Sequence, residues 1–316
     1  MSGRKHRPAP SGKDDLKGRD KQMTHGLRDC VMSPIRRSRR LHYFLRNLLF
    51  APAEQGKAIL AQHKCATHSL PIVMIVGCPR SGTSFTARML NSAGLELPGE
   101  HTKPDAFNPE GYFEEDRIVS INSDILWGSN GHWFLPPREL RVYTYQRAQI
   151  VQVLSWLAGF ARVCGWKDPR GTLTLPVWLD VARQRNIPVR VVGVFRHPIS
   201  VARSVVRHEQ GLFDFAQALN AWSIHNARLL ELAARIPDRF YWFAIDQPQQ
   251  RVEANLNAIA ARLGLAARVS IDRKPHGADG DAGLSDVSAQ VCDIYGRLLA
   301  AHAAQWHELC AAIEPA

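Results

Sequence analysis

Four short apolar runs punctuate this chain: Ile72-Val73-Met74-Ile75-Val76 behind Pro71, Ala161 to Trp166, Val189 to Phe195, and Phe240 to Ile245. None shows sustained polar alternation, which is how a parallel strand buried on both faces reads. Each run leads into a stretch of helical character: Thr83 to Ser92, halted near Gly94, then segments near 173–185, 199–209 and 248–263. The repeated alternation of strand and helix predicts an α/β fold, a central parallel sheet covered by helices on both faces, with ligands at the carboxyl ends of the strands. Apolar spacing over 41–62 predicts a leading helix, and another helix is predicted from about 284. Between 95 and 145, Gly, Pro, Asn and aromatic residues crowd together, as in Asn108-Pro109-Glu110-Gly111-Tyr112, which predicts a long functional insertion in place of regular core.

Charge divides the chain. Of the formal +11, +8 falls in residues 1–40, where twelve Lys or Arg face four Asp. The expected organisation is therefore a basic disordered tail, 1–40, followed by one folded domain, 41–316. The body is near neutral, which argues against a specific nucleic-acid partner for the folded part. No run of about 18 apolar residues occurs, so no membrane span is predicted. Six scattered cysteines with no CxxC pair suggest neither a disulfide framework nor a metal site, and a cytoplasmic location is expected. Residues 28–50, with Arg36-Arg37-Ser38-Arg39-Arg40 ahead of Leu41 to Phe50, admit two readings: peripheral contact with an anionic membrane, or a solvated tail leading into a helix packed on the domain.

The chemistry gathers at the ends of the predicted strands. Gly77 and Gly82 have the spacing of a Walker A loop, yet Thr83 stands where that motif needs lysine. A triphosphate hydrolase is disfavoured accordingly, because the lysine reaches the β and γ phosphates. Within the expected α/β, P-loop-type three-layer fold, what remains is an anion cradle: amides around Ser81 to Ser84, hydroxyls of Ser81, Thr83 and Ser84, the positive end of the next helix, and Arg80 as the cation. After the third run comes Arg196, with Ser204 eight residues on; a helix starting near Pro198 would turn Ser204 back toward Arg196, a pair suited to a second phosphate.

With these loops the chain resembles the sulfotransferases that use 3′-phosphoadenosine 5′-phosphosulfate (PAPS), over roughly residues 71–265. The resemblance makes Pro79-Arg80-Ser81-Gly82-Thr83-Ser84 the 5′-phosphosulfate loop and Arg196 with Ser204 the 3′-phosphate site. Trp166-Lys167-Asp168-Pro169-Arg170 is similar to the KDP segment of the tyrosylprotein and bacterial carbohydrate branches, where the lysine assists transfer. The tyrosylprotein branch places a glutamate about twenty residues after the first helix, where Glu100 or His101 falls; Glu100 is the first choice as general base, with His101, Glu110, Glu114 and Glu115 as alternatives. Arg273 and Lys274, in Arg273-Lys274-Pro275-His276-Gly277, correspond to the loop that closes the nucleotide site, or else to a charged linker. His197 reads as a turn residue held near the nucleotide.

The resemblance implies PAPS as co-substrate, no metal, and in-line transfer to a hydroxyl, with Arg80 and Lys167 stabilising the leaving group. The expected acceptor is a carbohydrate, on which the aromatic residues of 107–145 would stack. Protein tyrosine and a small phenol are the alternatives within this chemistry. A P-loop kinase, or a non-catalytic protein binding nucleic acid or membrane through its tail, is the alternative outside it.

Overall fold

The computed structural model describes residues 42–59, 61, 70–105, 108–272 and 287–311; the expected basic tail, 1–40, lies outside them. By internal packing the chain divides into two units, Met1–Arg46 and Asn47–Ala316. Within the second, four strands form one parallel sheet: β1 (Ile72–Gly77), β2 (Cys164–Lys167), β3 (Val189–Phe195) and β4 (Phe240–Ala244), in the order β2-β1-β3-β4. Every residue of β1 is buried, because β1 is central and both its faces are covered. Its alternate side chains serve different cores. Ile72, Met74 and Val76 join one hydrophobic cluster, whereas Val73 and Ile75 join the other.

The helices sort by these clusters. On one face lie α2 (Thr83–Ser92) and α8 (Gln249–Arg262). The other face carries α3 (Asp116–Gly128), α4 (Thr144–Leu157), α5 (Gly171–Gln184), α6 (Pro198–His208), α7 (Phe215–Arg235) and α9 (Ala289–Ala311). Ahead of all of them, α1 spans residues 42–59. The expected α/β layering is present.

Two expectations change. The second strand begins at Cys164, three residues later than its apolar pattern suggested, and ends on Lys167, so its last side chain is charged. The segment 95–145 also carries more regular core than expected. Ile118, Ile121 and Ile125 of α3 are buried in the larger cluster, at helical spacing that the polar residues between them obscured. Glu115 starts that helix by accepting a hydrogen bond from the Ile118 amide at 3.0 Å. Neither α4 nor the 21-residue α7 was marked by the strand-to-helix pattern, since neither directly follows a strand.

Candidate active site

A cavity of about 620 Å³ opens at the carboxyl ends of β1, β2 and β3, the place a parallel sheet reserves for ligands. Three chain segments bring charge to it.

The first is the loop between β1 and α2. Gly82, capping α2, has φ +91°, which favours glycine, and a Cβ there would stand 2.2 Å from Ile245 Cδ1 and displace that side chain's tip. A Cβ on Gly77 would stand 2.4 Å from the Val194 carbonyl oxygen. The loop is thereby pressed against β3 and Ile245, with the first turn of α2 opening on the cavity. Gly82, Thr83 and Ser84 line it. Ser81 does not: its side chain is fully buried, its Oγ has no partner among the described residues, and its amide donates to the Cys78 carbonyl at 3.1 Å. Arg80, itself at φ 68°, lines the cavity and reaches across it.

The second segment follows β3. Arg80 Nε donates to Ser204 Oγ at 3.1 Å, joining the two loops. Arg196 Nε donates to Asp246 Oδ1 at 3.3 Å, and the Asp246 carboxylate also accepts from the His197 amide. The Trp222 indole donates to the Arg196 carbonyl oxygen at 3.0 Å. Arg196, Ser204 and Arg80 thus converge on one end of the cavity. Burial draws the Arg80 guanidinium below its ordinary pKa, and Arg196 acts in the same direction while Tyr112 opposes it. Asp246 was not anticipated; its signal was an acid just past the fourth strand. His197 does not line the cavity, and its ring packs edge-on to Tyr295 with centroids 5.1 Å apart.

The third segment joins the end of β2 to the loop before α3. Lys167 is 1% exposed, and its Nζ lies 2.7 Å from Glu114 Oε1. Arg170 Nη1 contacts Glu114 Oε2 at 3.0 Å and Asp168 Oδ1 at 2.8 Å. Asn122 Nδ2 donates to Asp168 Oδ2 at 2.9 Å, while its Oδ1 accepts from Thr174 and Trp178. Two cations and two acidic side chains meet in this cluster, and burial raises the Asp168 pKa against the pull of Arg170. Burial pushes Glu114 upward, but Lys167 and Arg170 outweigh it and hold its pKa below the ordinary carboxylate range. Burial lowers Arg170, and Asp168 with Glu114 more than reverse that, so its pKa is raised.

The candidate bases separate clearly. Glu100 is exposed and does not line the cavity; its carbonyl oxygen accepts from the Asp116 amide at 3.0 Å. His101 bridges to Glu115 and packs near Phe113, also off the cavity. Glu115 is committed to capping α3 and to Arg117 at 2.8 Å. Glu110 lines the cavity and pairs with Arg88 at 2.9 Å. Glu114 alone of the five contacts Lys167. Arg273 and Lys274 lie outside the described residues.

Two residues that sequence reasoning did not assign complete the wall. The Arg170 guanidinium sits 4.8 Å from the ring centre of Trp133, which also lines the cavity. Trp133 is held in turn: its carbonyl oxygen is 2.7 Å from Nε2 of the buried His225, whose pKa burial lowers to about 4, leaving a neutral ring that can donate there. Arg170 stood in view within the Lys167 motif, but nothing local showed that it would meet Glu114.

A family model described as "Sulfotransferase family" matches residues 71–268, more than half of the chain and all the segments above. No curated protein matches. Three solved structures are similar. The sulfotransferase domain of the Synechococcus PCC 7002 olefin synthase is 19% identical, covering 74% of this chain and 88% of its own, with a TM-score of 0.39. The sulfotransferase domain from the curacin biosynthetic pathway is 18% identical, with 71% and 83% coverage and a TM-score of 0.36. The sulfotransferase STF1 from Mycobacterium tuberculosis H37Rv is 15% identical, with 82% and 84% coverage and a TM-score of 0.38. All three TM-scores lie below 0.5, so the family match carries the assignment.

Proposed function

We propose, proceeding from the fact that the chain belongs to the sulfotransferase family, that it moves the sulfuryl group of PAPS to a hydroxyl of a carbohydrate. The observation that carries this reading is the placement of the Lys167–Glu114 pair in the same cavity as the α2 amino terminus and the Arg80, Arg196 and Ser204 cluster.

The residues present suit the donor. The first amides of α2 and Thr83 and Ser84 would take the 5′-phosphosulfate, and Arg196 with Ser204 the 3′-phosphate, displacing the Arg80–Ser204 hydrogen bond or sharing it. Asp246 orients Arg196 for this task. The expected roles of Gly82, Thr83, Ser84, Arg196 and Ser204 are kept. Ser81 acts through the loop's backbone, given its buried side chain.

Transfer then needs an acceptor oxygen in line with sulfur and the departing phosphate oxygen. Glu114 takes the acceptor's proton as the new oxygen–sulfur bond forms, and the bond from sulfur to the 5′-phosphate oxygen breaks. Protonation of Glu114 weakens its hold on Lys167, whose ammonium then faces the charge that grows on the leaving phosphate. Arg80 supports the same oxygen. In this reading Glu114 replaces Glu100 as the first choice of base. Balance is complete: the sulfated acceptor and 3′-phosphoadenosine 5′-phosphate leave, and Glu114 returns its proton to solvent.

The acceptor assignment rests on Trp133, whose ring borders the cavity beside Arg170 and offers a face for a sugar. Buried cysteines Cys78 and Cys164, just past β1 and at the start of β2, fit the cytoplasmic location expected of the enzyme. Incubation with sulfur-labelled PAPS and a panel of glycans, tyrosine peptides and phenols tests the reading. Label on glycans supports it, label confined to tyrosine peptides or phenols sinks the carbohydrate assignment, and absence of donor binding sinks the whole.

A further inference from the structure

We propose that the outward face of α1 docks the protein on an anionic lipid surface, a role independent of the transfer reading. Helix α1 is seated by the wrong face for an ordinary amphipathic helix. In the larger unit, the Tyr145 amide donates to Asn47 Oδ1 at 3.3 Å, and Gln152 Nε2 donates to the carbonyl oxygen and the carboxylate of Glu54 at 3.1 and 2.8 Å. Ala51 and Ala58 are buried in the same stripe. Asn47, Ala51, Glu54 and Ala58 recur at steps of four, three and four, one side of a helix. Polar and small side chains therefore make the seat against α4.

The apolar residues are left on the other side. Leu48 is 63% exposed, Leu49 71% and Ile59 55%, and Pro52 between them is exposed too. Their spacing puts all four on one stripe about 100° wide that runs from the flank of the seat to its far side. A contiguous apolar stripe on a helix marks an interaction surface, where scattered exposed leucines would not. The choice of partner follows from charge. Arg36, Arg37, Arg39 and Arg40 precede this stripe in sequence, and no Asp or Glu occurs between Asp29 and Glu54. A run of arginines with no acidic residue interspersed, leading into an exposed apolar stripe, suits a bilayer that offers phosphate headgroups outside and hydrocarbon beneath. Among the described residues no helix is long and apolar enough to cross a membrane, which fits a helix lying in the interface.

Flotation of the purified full chain with phosphatidylcholine vesicles, and with vesicles carrying about one third phosphatidylglycerol, tests this. The expected result is at least about tenfold more protein on the anionic vesicles, reduced by salt, and a loss of about tenfold or more in the triple variant Leu48→Glu, Leu49→Glu, Ile59→Glu. These positions are exposed, so the variant should keep its thermal melt and donor binding, which serve as the folding control. Equal flotation of wild type and variant overturns the proposal, as does absence of wild-type binding. Sedimentation velocity without lipid covers the other occupants. A wild-type dimer that the variant converts to monomer, with no vesicle binding, assigns the face to a second copy and overturns it. Vesicle binding that rises on removal of residues 1–40 assigns the face to the chain's own tail and overturns it equally.

Discussion

Replacing Glu114 by Gln removes one negative charge from a cluster that holds two cations and two carboxylates, while leaving the shape nearly unchanged. Lys167, 2.7 Å away, loses its paired carboxylate, while Arg170, 3.0 Å away, keeps Asp168. Breaking a buried ion pair by removing one partner costs roughly 3–5 kcal/mol, and the hydrogen-bonding amide and the surviving Arg170–Asp168 pair bring the expected loss to about 2–3 kcal/mol. The sign of the pH dependence follows from the lowered pKa of Glu114. Its contribution to stability is complete above the unfolded carboxylate value and is lost as pH falls through the lower folded value, so Glu114→Gln should flatten the wild-type decline on the acid side. Denaturant titrations from about pH 3 to 7 measure both effects. As a base, Glu114 should supply roughly 10²–10⁴-fold in kcat, with donor affinity changed by less than about threefold. The acid limb of kcat/KM should lie below the usual carboxylate range in the wild type and vanish in the variant. Retention of kcat in Glu114→Gln together with a hundredfold loss in Glu100→Gln would refute this assignment and restore the exposed residue.

Arg196→Ala and Ser204→Ala should each weaken 3′-phosphoadenosine 5′-phosphate by about 1–3 kcal/mol, roughly ten- to hundredfold by calorimetry, since each removes a charge-assisted contact. Unchanged affinity in both would detach the loop after β3 from the donor. Gly82→Ala places a methyl against Ile245 at a positive φ, so about 1–3 kcal/mol of stability and most donor binding should go; a fully stable, fully binding variant would contradict the loop geometry. Trp133→Ala should raise the KM of a glycan acceptor with little effect on that of the donor, and Trp133→Phe should recover part of it; equal effects on both substrates would place Trp133 in folding alone. Chelation with EDTA should leave transfer within about twofold, whereas tight magnesium-dependent binding of ATP would favour the kinase alternative.

Much of the donor side was legible in the sequence because its parts are local. A strand buried on both faces is apolar along most of its length, so β1 and β3 announce themselves, and Arg80, Gly82, Arg196 and, on α6, Ser204 follow the strand ends closely in sequence. Parallel pairing then requires that those ends meet, which brings Arg80 within a hydrogen bond of Ser204 from 124 residues away. The acceptor side was not legible in the same way. Spacing put Glu100 first among five carboxylates or imidazoles between 100 and 115, whereas the choice among them depends on how the loop before α3 packs across β2, where Glu114 meets Lys167 over 53 residues of chain. Likewise the apolar spacing of α1 established a helix, but its burying face was set by Asn47, Ala51, Glu54 and Ala58 finding α4. Periodicity determines which residues share a face, and only packing decides which face is covered, because that depends on partners that no local pattern contains.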